Sequence, residues 1–207
     1  MEKVDLKKQS GELYSVGARA RSPRLVEVPP LQYVMVDGTG DPNTSKEFQH
    51  AMGALYPVAY GVKFVAKADG ADFGVMPLEG LWWTDPPEAF SMKDKGSWMW
   101  TVMILQPEWI TPEMVRGALA DAVEKGKVDH ATAAKVRLTT LEEGLSAQIL
   151  HIGPYDTEPP TIRALHSFVE EQGYRLRGKH HEIYMSDPRR VAPEKMKTII
   201  RHPVERA

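Results

Sequence analysis

Residues 180–188 read His180-His181-Glu182-Ile183-Tyr184-Met185-Ser186-Asp187-Pro188, and residues 80–86 read Gly80-Leu81-Trp82-Trp83-Thr84-Asp85-Pro86. Both segments end aromatic, bulky, hydroxyl, Asp, Pro. With the Asp-Pro pairs aligned, Trp82 matches Tyr184 and Gly80 matches Glu182. Residues two apart on a strand share a face, so Gly80 and Trp82 share one and Glu182 and Tyr184 share another. Two units paired about a pseudo-twofold would set these faces across one groove, with an aromatic wall, a carboxylate and a phenol. Gly80 opposite Glu182 would leave room there for a ligand ring. A carboxylate beside Trp and Tyr rings is partly desolvated, which raises its pKa and suits a general base or acid near neutral pH. The competing reading makes Glu182 an exposed edge-strand residue. Adjacent Trp82 and Trp83 point to opposite faces, so at least one is core. The run Trp98-Met99-Trp100-Thr101-Val102-Met103-Ile104-Leu105 is apolar on both faces and leaves open whether Trp98 or Trp100 meets the groove.

Other chemistries find less support. His180-His181-Glu182 is not a zinc spacing, because strand neighbours point apart, and no His-x-x-x-His occurs. His151 and His166 fit hydrogen-bonded structural roles, and no metal is expected. Gly-x-x-x-x-Gly-Lys, Gly-x-Gly-x-x-Gly and Gly-x-Ser-x-Gly are all absent, so no nucleotide cofactor or serine nucleophile is expected. Arg189-Arg190 reads as a salt-bridged turn. With Cys 0, a disulfide scaffold, a thiolate zinc site and a cysteine nucleophile are excluded. Lys+Arg 26 against Asp+Glu 28 gives a net charge of −2, which argues against a dedicated nucleic-acid binder. The 207 residues, 42% hydrophobic and 26% charged, fit a globular protein able to bury a core. Met1–Lys8 has no apolar stretch behind its charges, so a cytoplasmic location is expected.

The elements that must position these residues can be read in order. Residues 1–23 form a polar, basic arm on the surface, and residues 24–37 a strand interrupted by Pro29-Pro30 and followed by a Gly- and Asp-rich turn. Thr44 with Glu47 has capping-box spacing and opens a helix whose inward stripe is Phe48, Met52 and Leu55. Pro57 should kink or end it. Strands are expected over 74–84 and 97–106, joined by the segment from Asp85 to Gly96. Thr111 caps a helix with Pro112 at its first position, inward residues from Met114 to Val123, and Gly126 as its stop. A strand over 146–152, a helix over 161–172 stopped by Gly173, and strands over 176–186 and 197–204 complete the chain.

Both halves therefore run strand, helix, strand, strand, as a duplicated unit of about 60–75 residues. The expected class is α+β: an arm over 1–23 and a domain over 24–207, with pseudo-repeats near 24–110 and 140–207. Its sheet is antiparallel, with helices on one face and a central ligand groove.

Four segments carry a family likeness: Asp37–Thr44, Met76–Trp83, Glu143–Gln148 running into His151–Tyr155, and most specifically Arg177–Ile200. Across nearly the whole chain the sequence resembles the GyrI-like small-molecule-binding proteins, and most closely their stand-alone branch, identified as cyclopropanoid cyclopropyl hydrolases. The resemblance implies two tandem βαββ units of the SHS2 type around a ligand groove. It also implies hydrolysis of planar alkylators of the duocarmycin/yatakemycin class, disarmed when water opens their strained ring. Ring opening places negative charge on the dienone oxygen, which a hydrogen-bond donor stabilises. Tyr184 is the first candidate donor and Tyr155 the second, while Glu182 positions or deprotonates the water. Trp82, with Trp98 or Trp100, would stack on the ligand, with Gly80 and His151 completing the ligand-binding set. The partner is then a planar hydrophobic small molecule, with no nucleic acid, membrane or protein partner. Two other readings use the same sequence: a module that binds or senses planar drugs without turnover, and a protein that acts on gyrase or another large target.

Overall fold

The computed structural model describes residues 3–85 and 94–207. In chain order the strands are β1 Lys3–Val4, β2 Arg24–Val28, β3 Leu31–Thr39, β4 Asp72–Phe73, β5 Leu78–Trp83, β6 Met99–Gln106, β7 Arg137–Leu141, β8 Gly144–Ile152, β9 Tyr174–Leu176, β10 His180–Tyr184 and β11 Lys197–Arg206. The helices are α1 Leu6–Gln9, α2 Lys46–Ala68, α3 Pro112–Glu124, α4 His130–Ala133 and α5 Pro159–Glu171, with short 3-10 turns between elements. The chain forms two compact units. Unit 1 takes residues 1–6, 31–76 and 80–141; unit 2 takes 7–30, 77–79 and 142–207. Pro86 and most of the Asp85–Gly96 connection lie outside the described residues.

In unit 1 the strand order is β5-β6-β3-β7, and β3 lies antiparallel to both β6 and β7. Helix α2 packs on β3 and β6, and α3 packs on α2. Ser45, one residue past the expected Thr44, is the N-cap, accepting from the Phe48 N–H at 3.2 Å. The inward face of α2 is Ala51, Leu55, Val58, Ala59, Val62 and Ala66, smaller than the predicted stripe; Phe48 and Met52 are half-buried. Small residues let α3 approach, and a Cβ on Gly61 would come within 2.9 Å of the Ala118 Cβ. The helix continues through Pro57 rather than ending there. Tertiary packing on both sides of the proline outweighs the missing N–H. As expected, Thr111 caps α3 through the Met114 N–H, and Gly126 leaves the helix at φ 64°.

In unit 2 the order is β2-β8-β11-β10, antiparallel throughout, with β9 on the far part of β11. Helix α5 covers one sheet face, where Leu165 and Val169 meet Ala147, Ile149, Ile200 and Val204. The arm covers the other: Arg201 donates to the Leu13 carbonyl at 2.9 Å and Gln148 to the Glu12 carbonyl at 3.0 Å. The expected solvated arm is therefore tied down, with Leu13, Tyr14 and Ala20 buried. The strand expected over 176–186 is two strands, broken at Gly178, whose φ of 68° favours glycine. Each unit runs strand, helix, strand, strand through β3-α2-β5-β6 and β8-α5-β10-β11. The α+β class with an antiparallel sheet holds.

Candidate functional site

Strand alternation along β10 divides its residues. His180, Glu182 and Tyr184 face one way, His181 and Ile183 the other. The Glu182 side chain retains 12% of its exposure and lies between two partners. Tyr184 Oη donates to its Oε2 at 2.8 Å, and His180 Nε2 meets its Oε1 at 3.1 Å. A second carboxyl, Glu158, hydrogen-bonds Glu182 as well. Glu158 occupies the N-cap position of α5 but makes no side-chain capping bond there, and it is 1% exposed. Its side chain is thus turned inward, to Glu182, rather than to the helix N–H groups. Two carboxyls in contact share one proton, because two adjacent anions repel.

Burial pushes the Glu182 pKa up, but the bond and charge of His180 and the bonds of Tyr184 and Glu158 outweigh it, so the carboxyl is held below its ordinary range. This reverses the expected upward shift: the surroundings supply donors, not only aromatic rings. Burial and then the Glu182 charge push the Tyr184 phenol well above its ordinary range, so it stays protonated. The arrangement is an anionic base touching a neutral donor.

Tyr155 stands edge-on to Tyr184, ring centres 5.6 Å apart, and is more than a third exposed. His151 fixes the turn that carries it. Its Nε2 faces the Pro154 carbonyl at 3.3 Å and so bears the proton, while Nδ1 accepts from Thr161 Oγ1 at 2.9 Å. Gly153 in this turn has φ 142°, and a Cβ there would meet Thr157 Oγ1 at 2.8 Å. His151 therefore positions Tyr155 from inside the turn. Beyond His180, the rings of His202 and His166 follow at centre separations of 6.0 and 5.9 Å. Nδ1 of His202 and Nε2 of His166 are buried without a hydrogen-bond partner. Burial, aided by the charges of His180 and His166, lowers the His202 pKa to about 3. Among the described residues no three His, Asp or Glu side chains converge as metal ligands.

Behind β10, on the arm side, lies a charge network that sequence reasoning missed. His181 Nδ1 meets Glu143 Oε1 at 3.0 Å and its Nε2 meets Glu79 Oε2 at 2.9 Å. Arg201 Nη1 donates to Glu143 Oε2 at 3.2 Å, and Tyr14 Oη donates to Glu79 Oε1 at 2.6 Å. His181, Arg201 and Glu79 are fully buried. Burial lowers the His181 pKa, but the charge of Glu143 and bonds to Glu143 and Glu79 raise it to about 9. Burial raises the Glu143 pKa, and His181 and Arg201 bring it down to about 2. Two cations and two anions then cancel, and β10 is pinned from behind. The available signal was a charged residue inside an apolar run, as with Glu79 beside Met76 and Leu78 and Arg201 beside Ile199 and Ile200.

The indoles belong to unit 1. Trp82 and Trp98 pack at 5.5 Å between ring centres, and Phe48 bridges Trp82 to Trp100 at 5.8 and 5.1 Å. Trp98 and Trp100 thus join one cluster rather than dividing between core and groove. Trp100 is fully buried and offers no face to a ligand; its ring lies over Gly38, its cross-strand partner, where a Cβ would come within 2.2 Å. The space beside Gly80 is likewise filled from within the chain, since a Cβ there would lie 2.9 Å from Trp82 Nε1. The room expected for a ligand ring at Gly80 holds an indole.

Comparison with known proteins agrees with this architecture. The model of the GyrI-like small molecule binding domain matches residues 21–205. An uncharacterized conserved protein from Listeria innocua is 40% identical at a TM-score of 0.88, covering 98% of this chain and 100% of its own. A hydrolase from Listeria innocua is 40% identical at a TM-score of 0.85, covering 99% and 100%. The EcmrR C-terminal domain, 16% identical at 0.56, covers 90% and 98% and shares the fold alone. No curated protein matches the sequence. No helix among the described residues is long and apolar enough to cross a membrane. The chain belongs to the GyrI-like small-molecule-binding domain family.

Proposed function

We propose that this protein is a hydrolase that adds water to the activated cyclopropane of planar DNA-alkylating natural products of the duocarmycin/yatakemycin type, and so disarms them. The observation that carries the reading is the contact of Glu182 with Tyr184, a carboxylate held ionised and a phenol held protonated, 2.8 Å apart. The hydrolase from Listeria innocua, similar over the whole chain, supports an enzyme.

In the free protein the Tyr184 proton is spent on Glu182. A bound dienone oxygen takes that hydrogen bond, which frees Glu182 Oε2 for a water. Glu182 draws a proton from the water as its oxygen bonds to the cyclopropane methylene carbon. The strained C–C bond breaks, its electron pair passes into the dienone ring, and the dienone oxygen becomes a phenolate stabilised by the Tyr184 O–H. The proton held by Glu182 then neutralises the phenolate, so the product is substrate plus one water. Tyr155, edge-on to Tyr184, is the second donor. Glu158 keeps Glu182 anionic by holding the proton the pair shares.

A time course with a duocarmycin-type compound, followed by mass spectrometry, tests this. The expected result is a gain of one water that scales with protein and is lost in Glu182→Gln; Tyr184→Phe slows it by about 100-fold, the range for one preorganised donor. Full activity in Glu182→Gln removes the base role. Binding with unchanged ligand mass in the wild type would instead establish a drug-binding module, the reading favoured by the family description alone.

A further inference from the structure

A cavity of about 700 Å³ in unit 2 lies apart from Glu182, at the end of the sheet on the arm side. Its floor is Ile152, Met185 and Val191. One wall is the Tyr14 ring, held in place by its hydroxyl bond to Glu79. Four cations surround it: Lys7 and Arg21 from the arm, Lys195 just before β11 and Lys197 at its start. None of the four has an ion-pair partner among the described residues, and Glu194 is the one acid in the lining. This departs from the rest of the surface, where a net charge of −2 leaves more acids than bases to pair with. It also departs from the hollow of about 290 Å³ in unit 1, where Lys135 is paired with Glu47 and His50 with Asp129.

We propose that this cavity is a second ligand site, separate from the Glu182 site, which takes a small amphiphile with one acidic head and an apolar body. A concave site with a clear excess of one sign of charge, here four cations against Glu194, concentrates counter-ions. The apolar floor is supplied by strand ends, where Met185 N–H bonds the Lys197 carbonyl at 2.9 Å, so the site is preformed. A volume of about 700 Å³ suits a drug-sized molecule. Four cations exceed what a neutral planar ligand needs. They match a carboxylate, sulfonate or phosphate, whose charge they share without requiring a bidentate clamp.

Fluorescence titration with anilinonaphthalene sulfonate, which carries one sulfonate on flat rings, tests the proposal, with uncharged phenylnaphthylamine as control. Wild-type protein at about 50 mM salt binds the sulfonate, and salt at about 0.5 M weakens that binding severalfold. Two double variants approach the cavity from opposite sides: Lys195→Glu with Lys197→Glu, and Lys7→Glu with Arg21→Glu. Each is expected to weaken the sulfonate about tenfold or more while leaving the uncharged control unchanged. Glu182→Gln keeps sulfonate binding at wild-type strength, so failure here and failure of the hydrolase reading give different results. The proposal is overturned if both double variants bind the sulfonate like wild type, if control and sulfonate fall together, or if the sulfonate is lost only in Glu182→Gln. Should one pair lose its cooperative melt, the other decides.

Discussion

Replacing His181 by asparagine removes one cation from a set of four buried charges whose sum is zero. Glu79 and Glu143 would be left with Arg201 as their only cation in the network. In the native protein the pKa of His181 stands at about 9 instead of 6.5. At about 1.4 kcal/mol per pH unit, that difference corresponds to roughly 3 kcal/mol of stability. The matching fall of Glu143 to about 2 is the same attraction seen from the other partner and does not add to it. A folded pKa above the unfolded one means the stabilisation is complete below pH 6.5 and fades as pH rises through 9. Urea unfolding followed by tryptophan fluorescence at intervals from about pH 6 to pH 10 reads it directly. Wild type should lose about 3 kcal/mol across that range, whereas His181→Asn starts about 3–5 kcal/mol lower and lacks this component. A wild-type curve flat from pH 6 to pH 10, or an equal slope in the variant, would refute a charged imidazolium between the two carboxylates.

Other outcomes follow from the same geometry. His202 has a folded pKa of about 3, below its unfolded 6.5, so it costs stability as pH falls below 6.5. Wild type should lose about 2 kcal/mol from this group between pH 6.5 and pH 5, and His202→Asn should not, as urea midpoints would show. Gly38→Ala places a methyl within 2.2 Å of the Trp100 ring and should destabilise by about 2–3 kcal/mol in thermal unfolding. Pro57→Ala restores a helical N–H in α2 and should stabilise by about 1 kcal/mol or more in the same assay. If the proposed hydrolysis holds, Glu158→Gln keeps a donor beside Glu182 and should retain its rate within about threefold, whereas Glu158→Leu should move the acid limb of its pH–rate profile upward.

The shared face of Glu182 and Tyr184 on β10 was legible because alternation alone sets residues two apart on one side, and the structure adds the bond between them. Their surroundings were not legible. Glu158 stands where acids ordinarily favour a helix N-terminus, so its local sequence gives no reason to turn it inward. The charge network joins residues as far apart as Glu79 and His181, separated by 102 positions, and periodicity carries no information about such pairs. Local signals worked where one residue decides, as with Thr111-Pro112 and Gly126 around α3. They failed where packing decides, at Pro57 in α2 and at Gly80, whose vacant side is filled by a ring two residues away. Strand β7 and helix α4 escaped notice because Arg137-Leu138-Thr139-Thr140-Leu141 and His130–Ala133 have neither the length nor the pattern to declare themselves.

Unit 2 is assembled from residues 7–30, 77–79 and 142–207, and this interleaving bears on how the chain is made. During synthesis Tyr14 and Glu79 emerge early, then wait through more than sixty intervening residues before Glu143, His181 and finally Arg201 leave the ribosome. Until Arg201 arrives, the anions outnumber the cations around His181, and the unit cannot close on a neutral interior. Residues that form unit 1, by contrast, are all synthesised by Leu141. Folding should therefore proceed in sequence, with unit 2 closing after unit 1. A duplicated pattern is thus not a pair of autonomous halves: a fragment starting at Glu142 would carry His181 and Arg201 with Glu143 but without Glu79. Such a fragment inherits an uncompensated positive charge where its parent has none.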